Sequence, residues 1–144
     1  MEENGLSVSS KELFYSAMML GLDKLVNVEY VFPADETRMA DELEEVKRGL
    51  RKKRMLKENT KGEITLDFGL SLCAAFCSKP DSCGVVDEDG LYGTIYKAAE
   101  TYMFLERTGE GENAAKWFKD SESLDEHITR RLGAGAEAGA DGGE

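Results

Sequence analysis

Histidine is nearly missing from this chain: His127 is the only one among 144 residues. A hydrolytic triad needs an imidazole beside a nucleophile and an acid. A single histidine inside Asp125-Glu126-His127-Ile128-Thr129-Arg130-Arg131 reads instead as a surface residue. Cysteine is scarce too. Cys73, Cys77 and Cys83 are too few, and odd in number, for a disulfide framework. Their spacing, with no fourth ligand nearby, is not a zinc motif. Cys73 and Cys77, four apart in an apolar stretch, read as small hydrophobes of a buried helix. Phosphate loops are missing as well, because Gly109-Glu110-Gly111 and Gly90-Leu91-Tyr92-Gly93 lack the strand-to-helix setting and the lysine. Carboxylates abound but stand on charged faces such as Glu42, Glu44 and Glu45 beside Lys47 and Arg48. No pair occupies the apolar setting that shifts a pKa toward catalysis. These absences point away from an enzyme, and no cofactor or metal is expected.

No apolar run approaches the roughly 18 residues that span a bilayer. The segment MEENGLSVSSKEL is acidic and polar where a secretory signal would be basic and then apolar. The expectation is a cytoplasmic protein with no membrane partner. An excess of positive charge is also lacking: the net charge is −11. Nucleic-acid binders draw much of their affinity from a basic footprint, and the one basic run here is Lys47-Arg48 through Arg51-Lys52-Lys53-Arg54. Such a run is most simply a solvated helix face, placed where the helix dipole favours cations.

What is present is a soluble composition, 41% hydrophobic and 33% charged, in a length that suits one domain. Ser9-Ser10-Lys11-Glu12 is a capping box that starts a helix near Ser9. Leu13, Phe14, Ala17 and Met18 follow helical spacing, and Gly21 supplies a left-handed stop. Leu22–Phe32 is an apolar connector expected to press on the core. Pro33 opens a second helix with Asp35 and Glu36 in its first turn and Arg51–Arg54 in its last. Met39, Leu43, Val46 and Leu50 make its buried stripe. Met55-Leu56-Lys57 and Glu63-Ile64-Thr65-Leu66 flank a polar turn closed by Gly62, which is a hairpin signal. Asp67 caps a third helix that is apolar nearly all round and ends at Pro80.

Further on, Cys83–Val86 reads as a strand, and Leu91–Ala99 fits either helix or strand. Thr101–Arg107 and Asn113–Phe118 read as an antiparallel pair. Ser121 or Ser123 caps a short helix through about Leu132. The expected organisation is a flexible N-terminus over 1–8, a single α+β domain over 9–132 and a disordered Gly/Ala/acidic tail over 133–144. Its fold class is α+β: N-terminal helices with a winged-helix-like β-hairpin, then an antiparallel sheet and a C-terminal helix.

Glu12-Leu13 through Leu20-Gly21-Leu22, the proline after a short connector, Leu50-x-x-Lys53-Arg54-Met55-Leu56, Gly62-Glu63-Ile64-Thr65-Leu66, the apolar helix and Pro80 form a pattern. Over roughly residues 10–80 it resembles the EspG-type substrate chaperones of type VII (ESX) secretion and their Firmicute relatives. Members of that family have a helix ending in "LG", a long helix, an "L-x-x-R-G-L-L" turn into a wing and a helix ending in proline, followed by an antiparallel sheet. Here Met55 is read in the place of the usual glycine. The family also has two related halves, where this chain has length for one. The resemblance implies a cofactor-free protein that holds a helical secretion substrate in the cytosol, working as a homodimer or with a second half-like chain.

The residues themselves leave three readings. One is a protein-binding module, with Tyr92, Tyr96, Tyr102, Phe104 and Trp117 as candidate partner-binding residues, since large amphipathic rings dominate interface hot spots. A second is a winged-helix transcription regulator contacting phosphates through Lys47, Arg48, Arg51, Lys52, Lys53, Arg54, Lys57 and Lys61. Against it, the helix after the wing offers no polar face to read bases. The third is a structural subunit of a larger assembly.

Overall fold

A computed structural model describes residues 5–139, with the side chains of residues 5–133. The fold is α+β: β1 (Gly5–Ser9), α1 (Ser10–Met19), α2 (Glu36–Lys52), β2 (Leu56–Glu58), β3 (Ile64–Leu66), α3 (Phe68–Ser78), β4 (Ser82–Glu88), β5 (Leu91–Ala98), β6 (Thr101–Gly109), β7 (Glu112–Phe118) and α4 (Ser121–Gly139). The described chain divides into two compact units: Val8–Lys79 forms one, and residues 5–7 with 80–139 form the other.

In the unit Val8–Lys79, α1 packs against α3 and α2. The capping box forms as read, with the Glu12 amide donating to Ser9 Oγ at 3.0 Å and the Ser9 amide to Glu12 Oε1 at 2.9 Å. At the other end of α1, the Leu22 amide donates to the Ala17 carbonyl and the Gly21 amide to that of Met18. Gly21 sits at φ 79°, a left-handed position where glycine carries no Cβ penalty. The second helix starts later than expected. Asp35 is its N-cap rather than a first-turn residue, accepting from the Thr37 amide at 2.9 Å, and Gly49 lies inside it without ending it.

The same hydrogen-bond pattern closes α2: the Met55 amide donates to the Leu50 carbonyl and the Arg54 amide to that of Arg51. Here the left-handed residue is Arg54, at φ 64°. The glycine-like position of this turn therefore belongs to Arg54 and not to Met55. The hairpin pairs Leu56 with Leu66, Lys57 with Thr65 and Glu58 with Ile64. Its turn is built by Asn59, whose Oδ1 accepts from the Lys61 and Glu63 amides at 2.9 Å. Asp67 caps α3 through the Gly69 amide, and Cys73 and Cys77 are buried in that helix. The thiol of Cys73 is held well above its usual pKa by its hydrogen bond with Cys77 and by burial. The connector only partly meets the expectation. Leu25 and Val28 are buried, and the Val26 amide donates to the Cys77 carbonyl, but Val31 is 87% exposed.

In the other unit the sheet order is β1-β7-β6-β5-β4, antiparallel from β4 through β7. Leu91–Ala98 is a strand, with Gly93–Lys97 paired on both sides, to β4 and to β6. Helix α4 lies against β5, β6 and β7. Leu91, Phe104 and Leu124 form the buried centre there, with Val86, Ile95, Tyr102, Phe118, Ile128 and Leu132 around them. Asp120, rather than either serine, caps α4 by accepting from the Ser123 amide at 2.8 Å. That bond holds the Asp120 carboxyl below its usual pKa. The helix continues to Gly139, past the expected end near Leu132, so 133–139 are helical where a disordered tail was expected. At the N-terminus Gly5–Val8 belong to β1 rather than to a flexible segment. The expectations for 1–4 and 140–144 fall outside the described residues.

No helix among the described residues is long and apolar enough to cross a membrane.

Candidate partner-binding surface

The five aromatics singled out in the sequence do not make one surface. Strand pairing lines up Tyr96, Met103 and Trp117 on one face of the sheet, which also carries Tyr92. Tyr102 and Phe104 are on the opposite face, the one covered by α4. Tyr96 and Phe104 are fully buried, so neither is accessible to a partner; alternating residues of a strand covered on both faces go to core in turn. Trp117 is half-buried. Tyr92 and Tyr102 are half-exposed and already engaged by cations: the Arg107 guanidinium lies 4.5 Å from the Tyr92 ring centroid and Lys97 Nζ 5.9 Å from that of Tyr102. These contacts fix the rings along the strands.

His127 is not the surface residue that its neighbours suggested. It is half-buried, with its ring 5.2 Å from that of Phe118 and 6.0 Å from that of Phe104. Burial lowers its pKa, and Lys116 adds to this, while Glu106 opposes. An open cavity of about 390 Å³ lies beside it, lined by Leu6, Phe104, Glu106, Ala114, Lys116 and His127 among others. Glu106 is bound to Arg131 through both carboxylate oxygens. No group of three or more side chains among the described residues is arranged to hold a metal.

In the unit Val8–Lys79 the polar centre is Glu42. The hydroxyls of Tyr15, at 2.8 Å, and of Tyr30 both donate to its Oε1. Edge-on contacts of Tyr15 and Tyr30 with Phe32, at 5.0 and 5.5 Å, fix the rings around it. The hydrogen bond from Tyr30, chiefly, lowers the Glu42 pKa, and burial and that carboxylate raise the Tyr30 hydroxyl to about 12. A phenol held this far above neutrality is a structural donor rather than a base, so the cluster ties the connector to α1 and α2.

The surface left available lies at the hairpin. Three cations of the basic run are paired: Lys47 with Glu44 at 3.6 Å, Arg51 with Glu58 at 2.8 Å and Lys53 with Glu12 at 2.8 Å. Arg48, Lys52, Arg54, Lys57 and Lys61 are exposed and make no ion pair among the described residues. Arg48 and Lys52 share a helix face by their i,i+4 spacing. The hydrogen bond from the Asp67 amide to the Met55 carbonyl, at 2.7 Å, brings Arg54 and Phe68 to the hairpin's base. Phe68 is 77% exposed. The signal for it was available: Phe68 directly follows the capping Asp67 and is the first residue of a helix whose buried positions begin at Leu70. Reading the helix as apolar all round concealed it.

This surface is an apolar anchor framed by uncompensated cations on a chain of net charge −11. Set beside known protein families and curated proteins, the sequence matches none of them.

Proposed function

We propose that this chain is a non-enzymatic protein-binding module, a chaperone or adaptor that holds a helical type VII secretion substrate in the cytosol. The observation that carries the reading is the exposed Phe68 at the base of a hairpin whose entry carries the exposed Arg54 and Lys57. Large exposed rings flanked by arginine are what interface hot spots are made of, and a helix with an apolar stripe and acidic flanks is the complementary partner. The order of elements supports it as well, since two helices, a hairpin, an apolar helix and an antiparallel sheet follow one another as in the family that the sequence resembles.

Affinity capture from the native host with tagged wild-type protein, Phe68→Ala and Arg54→Glu/Lys57→Glu tests the reading. The expected result is a soluble stoichiometric complex with a small helical exported protein, lost in both variants. Salt-sensitive retention of duplex DNA on the same cations would overturn it in favour of a regulator. Equal capture by all three proteins would remove this surface from the function.

A further inference from the structure

Strand β4 ends the sheet, with β5 as its one neighbour. Proteins normally blunt such an edge with a bulge, a proline, charged side chains (lysine above all) or a covering segment. β4 has no proline or lysine, its seven residues pair with β5 without interruption, and its two charges, Asp87 and Glu88, stand together at one end, leaving Ser82-Cys83-Gly84-Val85-Val86 uncharged. It is not covered either. Six of the seven are exposed and Val86 is intermediate, with Val85 at 52%.

We propose that β4 is a homodimerisation edge, pairing antiparallel with β4 of a second copy about a two-fold axis at Val85. The strand is self-complementary in that register. Ser82 meets Glu88 of the second copy, Cys83 meets Asp87, Gly84 meets Val86 and Val85 meets Val85, so all seven residues pair and no carboxylate of the strand faces another; Asp81 and Asp89, which flank the strand, come opposite each other where the pairing ends. Moving the axis to Gly84 leaves Asp87 and Glu88 opposite Asp81 and Pro80, outside the strand. Moving it to Val86 leaves the N-terminal end of the strand unpaired. A parallel arrangement would align Asp87 and Glu88 with their own copies.

The neighbours on β5 fit the same register. Thr94 pairs with Val85, so a row of β-branched residues runs Thr94, Val85, Val85, Thr94 across the junction, the cross-strand pairing that sheets favour. On the other face Ile95 pairs with Gly84, where a side chain would meet no atom within 4 Å. Val86 of the second copy enters that space. Ser82 pairs with Lys97, so Glu88 of the second copy lies two strand spacings of about 4.8 Å from a lysine, within reach of the two extended side chains. The isologous contact joins two five-stranded sheets and removes the β4 edge of each.

Light scattering of the full chain over a concentration series, with disulfide trapping, tests this. Wild type is expected at twice the chain mass, with the dimer fraction rising in added salt, which screens repulsion between two chains of net charge −11. Val85→Lys, at an exposed position, is expected to give a monomer with an unchanged circular dichroism spectrum. In a Cys83→Ser background, Val85→Cys is expected to cross-link on mild oxidation. Wild-type Cys83 is not, since its copy lies four residues along the paired strands, roughly 13 Å away. A wild type monomeric at every concentration overturns the proposal. So does a dimer that survives Val85→Lys and leaves Val85→Cys uncross-linked.

Discussion

Gly93 is where a single methyl group should do the most damage. A Cβ there would stand 2.7 Å from Cε1 and Cζ of Phe104 and 2.8 Å from the Leu105 carbonyl oxygen. Phe104 cannot swing aside, because it is buried against Leu91 and Leu124. The oxygen belongs to the β6 backbone paired with β5. Overpacking costs about 1–3 kcal/mol, and two rigid obstacles place Gly93→Ala at the upper end. Restricting the unfolded chain returns about 0.5–1 kcal/mol, leaving a net loss of about 2 kcal/mol. At this chain length that lowers Tm by roughly 6–8 °C. Scanning calorimetry, or urea unfolding followed by circular dichroism, reads the loss. Gly133→Ala in α4, with open space at its Cβ, is the control and should be neutral or slightly stabilising. Phe104→Leu combined with Gly93→Ala should cost less than the sum of the two, because removing ring atoms relieves one of the clashes. A Gly93→Ala protein as stable as wild type would refute the packing described for this face.

Three further outcomes are expected. Arg54→Gly should raise stability by about 1 kcal/mol, since the left-handed position penalises any side chain; a lower urea midpoint would show that the arginine holds the turn. Glu42→Ala should cost about 1–3 kcal/mol by leaving the buried Tyr15 hydroxyl without its carboxylate, and a neutral result in urea unfolding would mean that the tyrosines find other acceptors. His127 binds its proton less readily when folded than when unfolded, where its pKa is about 6.5. Its contribution is therefore intact above that value and is lost as pH falls through it toward the lower folded pKa. The unfolding free energy of wild type relative to His127→Phe should drop over that interval, and a pH-independent difference would contradict the burial.

Local chemistry carried the reading of the sequence furthest in the unit Val8–Lys79. The Ser9–Glu12 box, Gly21, the Gly62 turn and Asp67 each satisfy a backbone group within a few residues, so their signals are contiguous. Where partners lie far along the chain the reading failed. Leu91–Ala98 is apolar on both faces because both faces are buried, which erases the alternation that separates strand from helix. Two of the aromatic candidates, Tyr96 and Phe104, are buried for the same reason, since chemistry alone does not tell a buried Tyr96 from a half-exposed Tyr92. The turn between β5 and β6 was illegible for a different one. Ala99 and Glu100 both adopt positive φ, 50° and 75°, without glycine, and Ala99 is tied through its amide to the distant Asp81 carboxylate at 3.0 Å.

The strand order also sets a timetable for synthesis. β1 lies beside β7 in the sheet, although about 100 residues separate Ser9 from Glu112. At about 5–20 residues per second, β7 leaves the ribosome roughly 5–20 s after β1. All of Val8–Lys79 emerges in that interval, with α1, α2 and α3 complete, while β1 has no strand to join until the last hairpin is made. A nascent chain stalled before β7 therefore holds an orphaned first strand, the species on which a holding factor or a protease would act.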